Sequence, residues 1–286
     1  MSKLKPNRKV FKIPKYILYT GKLLQSFSPY RAMRFVFVLF KTPFKFKRPS
    51  REDKMYRKSE KEMLLLPVLQ KSIRVYSYGS ATKKILLIHG WAGRGTQLYK
   101  IAESFVEKGY MIISFDATAH GESEGKSSSM LEFITGVFEI EKKYGPFDFA
   151  IGHSLGGMAL LNSVKQGFDV KKIAIIGSGN SITAICKQFV SRLGLKQKVA
   201  VLLKDHMDKV LGQDAEDLSG YVAARSVAIP TLVIHDTEDF DVPVNCAYDV
   251  RQNLVNSELM ITEGLGHRRI LSDAKVINKL IAFFEK

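Results

Sequence analysis

The rhythm of apolar and polar positions changes near residue 70. From there on, short apolar runs alternate with longer stretches of helical period, the pattern of parallel strands joined by crossover helices. The runs predict strands at Ile73–Tyr78, Ile85–His89, Met111–Asp116, Phe149–Gly152, Ile173–Gly177, Thr231–His235 and Glu258–Ile261. Several are rich in Ile and Val and apolar throughout, as strands covered on both faces are. The intervals predict helices at 96–108, 129–144, 154–166, 244–254 and 273–285. One interval, Gly177 to Pro230, runs to about fifty residues, more than one crossover needs. Its content predicts helices over Ile182–Leu193, Gln197–Leu211 and Asp214–Ala224, read as a helical cap at about 178–228 over the strand ends. The expected architecture is α/β, with a mostly parallel central sheet flanked by helices and a helical cap insertion, over residues 71–286.

Residues 1–70 read differently. Basic residues are interleaved with Phe11, Ile13, Tyr16, Ile17, Leu18 and Tyr19, then with Phe35, Phe37, Phe40, Phe44 and Phe46. Prolines at 6, 14, 29, 43 and 49 cut the region into short pieces. Helices around 15–26 and 29–41 are expected here, as an arm rather than an independent domain.

Charge sharpens that division. The chain of 286 residues carries a net charge of +16. Between Met1 and Glu62 stand 18 Lys/Arg against 4 Asp/Glu, and the remainder holds 26 against 24, so the basic character belongs to the arm. Two cysteines, Cys186 and Cys246, are too few for a disulfide framework and suit a reducing compartment. The longest apolar run in the arm, Ala32 to Phe40, is nine residues and contains Arg34, well short of the roughly 20 residues that span a bilayer. A cytoplasmic location is expected.

The chemistry concentrates in three places. Gly152-His153-Ser154-Leu155-Gly156 follows an apolar strand and opens a helix. A sharp strand-to-helix turn of this kind holds a serine hydroxyl at the strand's end, and the glycines let neighbouring chain pass. A serine needs a base to take its proton. His267, in Gly264-Leu265-Gly266-His267, lies after the last predicted strand and before the C-terminal helix, where a loop can carry an imidazole to the serine. An orienting acid should follow a strand between the two. Asp236, Glu238, Asp239 and Asp241 all stand after Thr231–His235, and spacing within the chain leaves the choice open. An oxyanion needs two donors. The amide of Leu155 supplies one, and the loop His89-Gly90-Trp91-Ala92-Gly93 supplies the other, best placed at Trp91.

With these parts in order, the sequence from about Lys84 to the C-terminus resembles the α/β-hydrolase family, in its esterase, lipase and acylaminoacyl-peptidase-like branches. The residues that carry the resemblance are His89-Gly90-Trp91, the loop Asp116-Ala117-Thr118-Ala119-His120-Gly121-Glu122-Ser123, and the Gly-x-Ser-x-Gly turn. The resemblance implies the α/β-hydrolase fold and a triad in the order serine, acid, histidine. Its acid stands three residues before a Val-Pro pair, which selects Asp239 ahead of Val242-Pro243. Two positions depart from the family pattern: Ala119 and Asp236 stand where glycine is usual.

The expectation is a serine hydrolase acting on a carboxylic ester or thioester, with catalytic Ser154, Asp239 and His267 and oxyanion amides at Trp91 and Leu155. An acyltransferase using the same triad, or a non-catalytic ligand-binding protein on this fold, is the alternative. No metal cluster or phosphate-binding glycine loop is read, so no cofactor is expected. The partner is a small acyl ester or a lipid-like substrate. For the arm three readings stand: packing on the body, peripheral contact with anionic membrane through residues 1–60, and binding of nucleic acid, of which the last is not expected.

Overall fold

The apolar runs pair into one sheet whose central strands are covered on both faces. In the computed structural model, which describes residues 13–286, an eight-stranded sheet divides two apolar layers. In chain order the first elements are helices α1 (Lys15–Phe27), α2 (Pro29–Phe40) and α3 (Asp53–Lys58), then strands β1 (Glu60–Leu66), β2 (Lys71–Tyr78) and β3 (Lys84–Ile88). There follow α4 (Tyr99–Glu107), β4 (Met111–Phe115), α5 (Met130–Tyr144), β5 (Phe147–His153), α6 (Leu155–Lys165) and β6 (Val170–Ile176). Helices α7 (Ile182–Arg192), α8 (Gln197–Leu211) and α9 (Gly220–Ala224) fill the long interval. The chain closes with β7 (Thr231–Asp236), α10 (Asn245–Asn253), β8 (Ser257–Thr262), α11 (Gly266–Arg269) and α12 (Ala274–Glu285).

Strand order is β1-β2-β4-β3-β5-β6-β7-β8, antiparallel at β1/β2 and β2/β4 and parallel thereafter. The alternation of each strand sorts its side chains. Leu86, Ile88, Ile173, Ile175 and Val233 enter the core shared with α5, α6 and the interval helices. Ile85, Leu87, Ala174, Ile176, Leu232 and Ile234 enter the core beneath α4 and α12. Because the register sets His153 beside Ile176 and Ile176 beside Ile234, the carboxyl ends of β5, β6 and β7 lie together.

The predicted strands and helices are found with bounds shifted by a few residues at most, except that Asp214–Ala224 is a 3₁₀ turn, Ala215–Leu218, followed by the short α9, and that one strand was not predicted. Residues 60–66, read from the sequence as part of the arm, form edge strand β1. Its charged start and mostly exposed side chains hid it: only Leu66 is fully buried.

Helices α1 and α2 pack on the interval helices rather than on the sheet. Gly21 lies against Leu195, the Lys196 amide donates to Gln25 Oε1 (2.7 Å), and the ring of Phe37 meets His206 edge-on at 4.5 Å. Phe40 packs on Phe189 of α7 at 5.2 Å. After α2 the chain runs along the loop that follows β4, where the Ser128 amide donates to the Lys41 carbonyl (2.8 Å). The expectations that fall on residues 1–12, including Phe11, lie outside the described residues.

Candidate active site

Ser154 sits between β5 and α6 with φ +54° and ψ −120°, a backbone conformation that non-glycine residues rarely accept. The turn is held from two sides. The Ser154 amide donates to the Ile176 carbonyl at the end of β6 (2.9 Å). Gly90 approaches so closely that a Cβ there would lie 2.8 Å from the serine's own Cβ. The side chain therefore stands at the carboxyl end of the sheet, at the amino end of an 11-residue helix whose dipole favours negative charge.

Beside it, the loops after β7 and β8 bring His267 and Asp239 together. His267 Nδ1 lies 2.6 Å from Asp239 Oδ2. The other carboxylate oxygen accepts the amides of Asp241 (2.9 Å) and Val242 (2.8 Å), so Asp239 is fixed at both oxygens. Burial alone would raise this carboxyl. Hydrogen bonds from His235 and His267 and the charge of His267 outweigh it and hold Asp239 well below its ordinary range. Gly177, the residue after Ile176, has φ +56°, and a Cβ there would lie 3.3 Å from both Asp239 Oδ2 and His267 Nδ1. Ser154 and the histidine–aspartate pair thus flank the same strand end. Among the described residues no hydrogen bond joins the Ser154 hydroxyl to His267.

The two other singled-out amides belong to residues next to this close approach. Trp91 follows Gly90 directly, and Leu155 follows Ser154. Among the described residues neither amide donates to a protein acceptor. The Gly90 turn is locked by His89, whose Nε2 accepts the Ala117 amide (3.0 Å) while Nδ1 donates to the Gly90 carbonyl (2.7 Å). That arrangement requires a neutral ring, and burial accordingly lowers His89 to about 4. Asp116 joins the same loops by accepting the amides of Gly95 (2.6 Å) and Glu122 (2.7 Å). His120 packs edge-on to Trp91 at 5.1 Å and forms the wall beside it.

Three residues carry more than the sequence reading gave them. Asp236 accepts the amides of Leu265 (3.0 Å) and Gly266 (2.8 Å), and so anchors the loop that presents His267. A glycine, usual at this position, could not make those bonds. His235 donates from Nε2 to the Val242 carbonyl (2.9 Å) and lies 3.4 Å from Asp239 Oδ2, so two imidazoles meet the same carboxylate oxygen. His153 reaches the His267 carbonyl with Nε2 (2.9 Å), its ring 4.6 Å from that of His267. Burial foremost, and then the charge of His267, hold His153 well below 6.5. The signal for Asp236 was present as a carboxylate in a glycine position, but its partners are thirty residues away. Ala119, the other departure, adopts φ +61°, the left-handed conformation that glycine accepts at no steric cost.

Among the described residues, no group of three or more His, Cys, Asp and Glu side chains is placed to hold a metal ion. The family model for the α/β hydrolase fold matches residues 83–190, from β3 into α7. No curated protein matches the sequence. Among solved structures, a bromoperoxidase from Bacillus anthracis is 18% identical with a TM-score of 0.62, covering 79% of this chain and 100% of its own. An esterase from Exiguobacterium antarcticum is 16% identical, TM-score 0.61, covering 78% and 99%. An esterase from Rhodococcus sp. is 15% identical, TM-score 0.60, covering 80% and 99%. At these identities the likeness is one of fold, and together with the family match it places this chain among the proteins of the α/β-hydrolase fold.

Proposed function

We propose that the chain is a serine hydrolase that cleaves a carboxylic ester or thioester through an acyl-enzyme. The observation that carries this reading is the 2.6 Å hydrogen bond between His267 and buried Asp239, set across one strand end from a serine in the strained turn conformation. With Nδ1 donating to Asp239, Nε2 of His267 keeps a lone pair and serves as the base. It takes the Ser154 proton as Oγ attacks the carbonyl carbon, and the amides of Trp91 and Leu155 receive the developing oxyanion. One such donor is worth about 3–4 kcal/mol of barrier. The imidazolium then protonates the leaving alcohol or thiol, and the acyl-enzyme is released by water, activated by the same Nε2. Asp239 fixes the tautomer and stabilises the imidazolium. In free enzymes the bond between nucleophile and base is commonly long and tightens once substrate is bound.

Helices α7 to α9 act in this reading as the cap over the substrate. Support comes from the bonds that tie α7 to the acid loop: Arg192 donates to the Phe240 carbonyl (3.0 Å) and Gln188 to that of Asp241 (3.2 Å). The two unpaired cysteines, Cys186 and Cys246, suit a cytoplasmic setting.

The test is labelling by a fluorophosphonate probe, wild type against Ser154→Ala, followed by a p-nitrophenyl ester series of increasing chain length. The expected result is labelling that disappears in the variant, with an optimum chain length that sizes the space under the cap. A folded wild-type protein that takes no label and turns over no ester in the series would overturn the reading.

A further inference from the structure

Helix α1 is apolar on two faces. Its inner face, Ile17 and Gly21 with Leu24 beside them, is taken up by packing on the chain's own core. Its outer face is also apolar. Tyr16, Tyr19, Leu23 and Phe27 recur at three- and four-residue spacing, and Tyr30 continues the line just past the turn into α2. All five are 54–71% exposed. Isolated exposed apolar side chains are ordinary, but four along one face of a single helix, three of them aromatic, with a fifth just beyond the turn, form a surface.

The charge around that surface has one sign. The first acidic residue of the whole chain is Glu52, and 14 Lys and Arg precede it, five of them within residues 1–12. Lys15, Lys22, Arg31 and Arg34 are exposed on the same two helices. Among the described residues, the first basic side chain to find a carboxylate is Arg48, with Asp53 and Glu122. Among the described residues, Lys15, Lys22, Arg31 and Arg34 therefore pair with no carboxylate.

We propose that the outer face of α1 docks on an anionic phospholipid surface, with Tyr16, Tyr19, Leu23, Phe27 and Tyr30 entering the interface and the flanking Lys and Arg meeting the headgroups. The chemistry of the two sets of residues selects this occupant. Tyrosine and phenylalanine suit the boundary between acyl chain and headgroup, and a collar of lysine and arginine without carboxylates suits a negative leaflet. The helix of 13 residues is about 20 Å long and lies along the surface rather than across it. No helix of the described residues is long and apolar enough to cross a membrane. A protein partner of the same apolar shape would need acidic residues ringing its groove; a bilayer offers both halves at once. The proposal stands apart from the reading of the triad, since it uses none of those residues.

The experiment is flotation of the full chain with vesicles of phosphatidylcholine alone, or containing roughly one third phosphatidylserine. Wild type should bind the anionic vesicles and not the neutral ones, and binding should weaken as salt rises from low to physiological strength. The fourfold variant Y16S/Y19S/L23S/F27S should lose at least about tenfold in affinity. The variant K15E/K22E/R31E/R34E should lose a comparable amount, whereas Val255→Ser, at an exposed apolar site near the far edge of the sheet, should bind as wild type. Thermal unfolding of each variant establishes that it is folded, and the salt dependence of wild type is a second reading that needs no variant. Equal binding by the serine variant, or no binding by wild type, overturns the proposal. So does a wild-type dimer, with no vesicle binding, that the serine variant converts to monomer. Retention on a single-stranded RNA column that the serine variant loses, with no vesicle binding, would likewise assign the face to nucleic acid.

Discussion

At the carboxyl ends of β5, β6 and β7 the protein buries polar groups and ties each to a distant part of the chain. In the layer made by α1, α2, α7 and α8, apolar packing supplies most of the cohesion, and much of the outer surface is apolar again. The first region carries strain at Ser154, φ +54°, as does the neighbouring loop after β4 at Ala119, φ +61°, and it holds buried imidazoles at His153 and His235. The second shows no such strain among its described non-glycine residues, and its polar contacts, such as Lys204 with Asp208 and Gln197 with Ser191, are mostly short-range. A region that stores strain and buried charge is suited to chemistry. A region of interchangeable apolar contacts is suited to covering and docking. The difference suggests that residues at the strand ends tolerate little change, while the layer tolerates change until its inner contacts are touched.

The comparison breaks first at Asp239. Asp239→Asn should lower kcat about 10⁴-fold while the protein remains folded, because the amide favours the wrong tautomer of His267. Asp241→Asn should stay close to wild type, since among the described residues the Asp241 side chain reaches only Arg192, at 3.6 Å. Ester hydrolysis by the two variants separates them, and the reverse ranking would move the acid to Asp241.

In the helical layer, Met33 is fully buried in α2. Met33→Ala should cost about 2–5 kcal/mol in urea unfolding if the layer unfolds together with the sheet. A new early transition, with the main one unmoved, would show that the layer melts by itself.

The buried imidazoles predict a difference in pH response. Burial lowers His89 to about 4 and His120 to about 3, and His153 lies well below 6.5. In the unfolded chain all three take up protons near 6.5, so below that pH the unfolded state binds more protons than the folded one. Stability is complete above pH 6.5. It falls by about 1.4 kcal/mol per pH unit for each histidine as pH drops, until each folded-state value is passed. Urea unfolding at pH 7.5 and 5.5 measures the loss, and His120→Leu should remove one histidine's share of the slope. Asp239 does not add to the difference between pH 7.5 and 5.5, because its carboxyl is ionised there in the unfolded chain as well as in the folded one.

The smallest effect sharpens the account of strain. Ala119→Gly should stabilise the protein by up to about 1 kcal/mol, since the left-handed conformation costs alanine more than glycine gains in the unfolded chain. A loss of stability on this change would mean that the methyl group's packing outweighs the backbone strain.

The strands, the crossover helices and the serine turn could be read from the sequence because each is local. Period, β-branched runs and glycine spacing act over fewer than fifteen residues. Strand β1 escaped because an edge strand with charged residues has little alternation to show. The two departures from the family pattern were visible as residues, yet their meaning was not. Ala119 revealed a strained turn only through its φ, and Asp236 revealed an anchor only through amides thirty residues along the chain.

By itself the sequence determined an α/β chain with a Gly-x-Ser-x-Gly turn, a histidine on a late loop, four carboxylates between them and a basic arm. Tertiary structure decided which carboxylate meets His267, that His235 and His153 crowd that pair, and that the arm's first helix turns an apolar face outward. These decisions depend on separations of tens to hundreds of residues closing to a few ångströms. Sheet register and helix packing set such distances, and no local pattern encodes them.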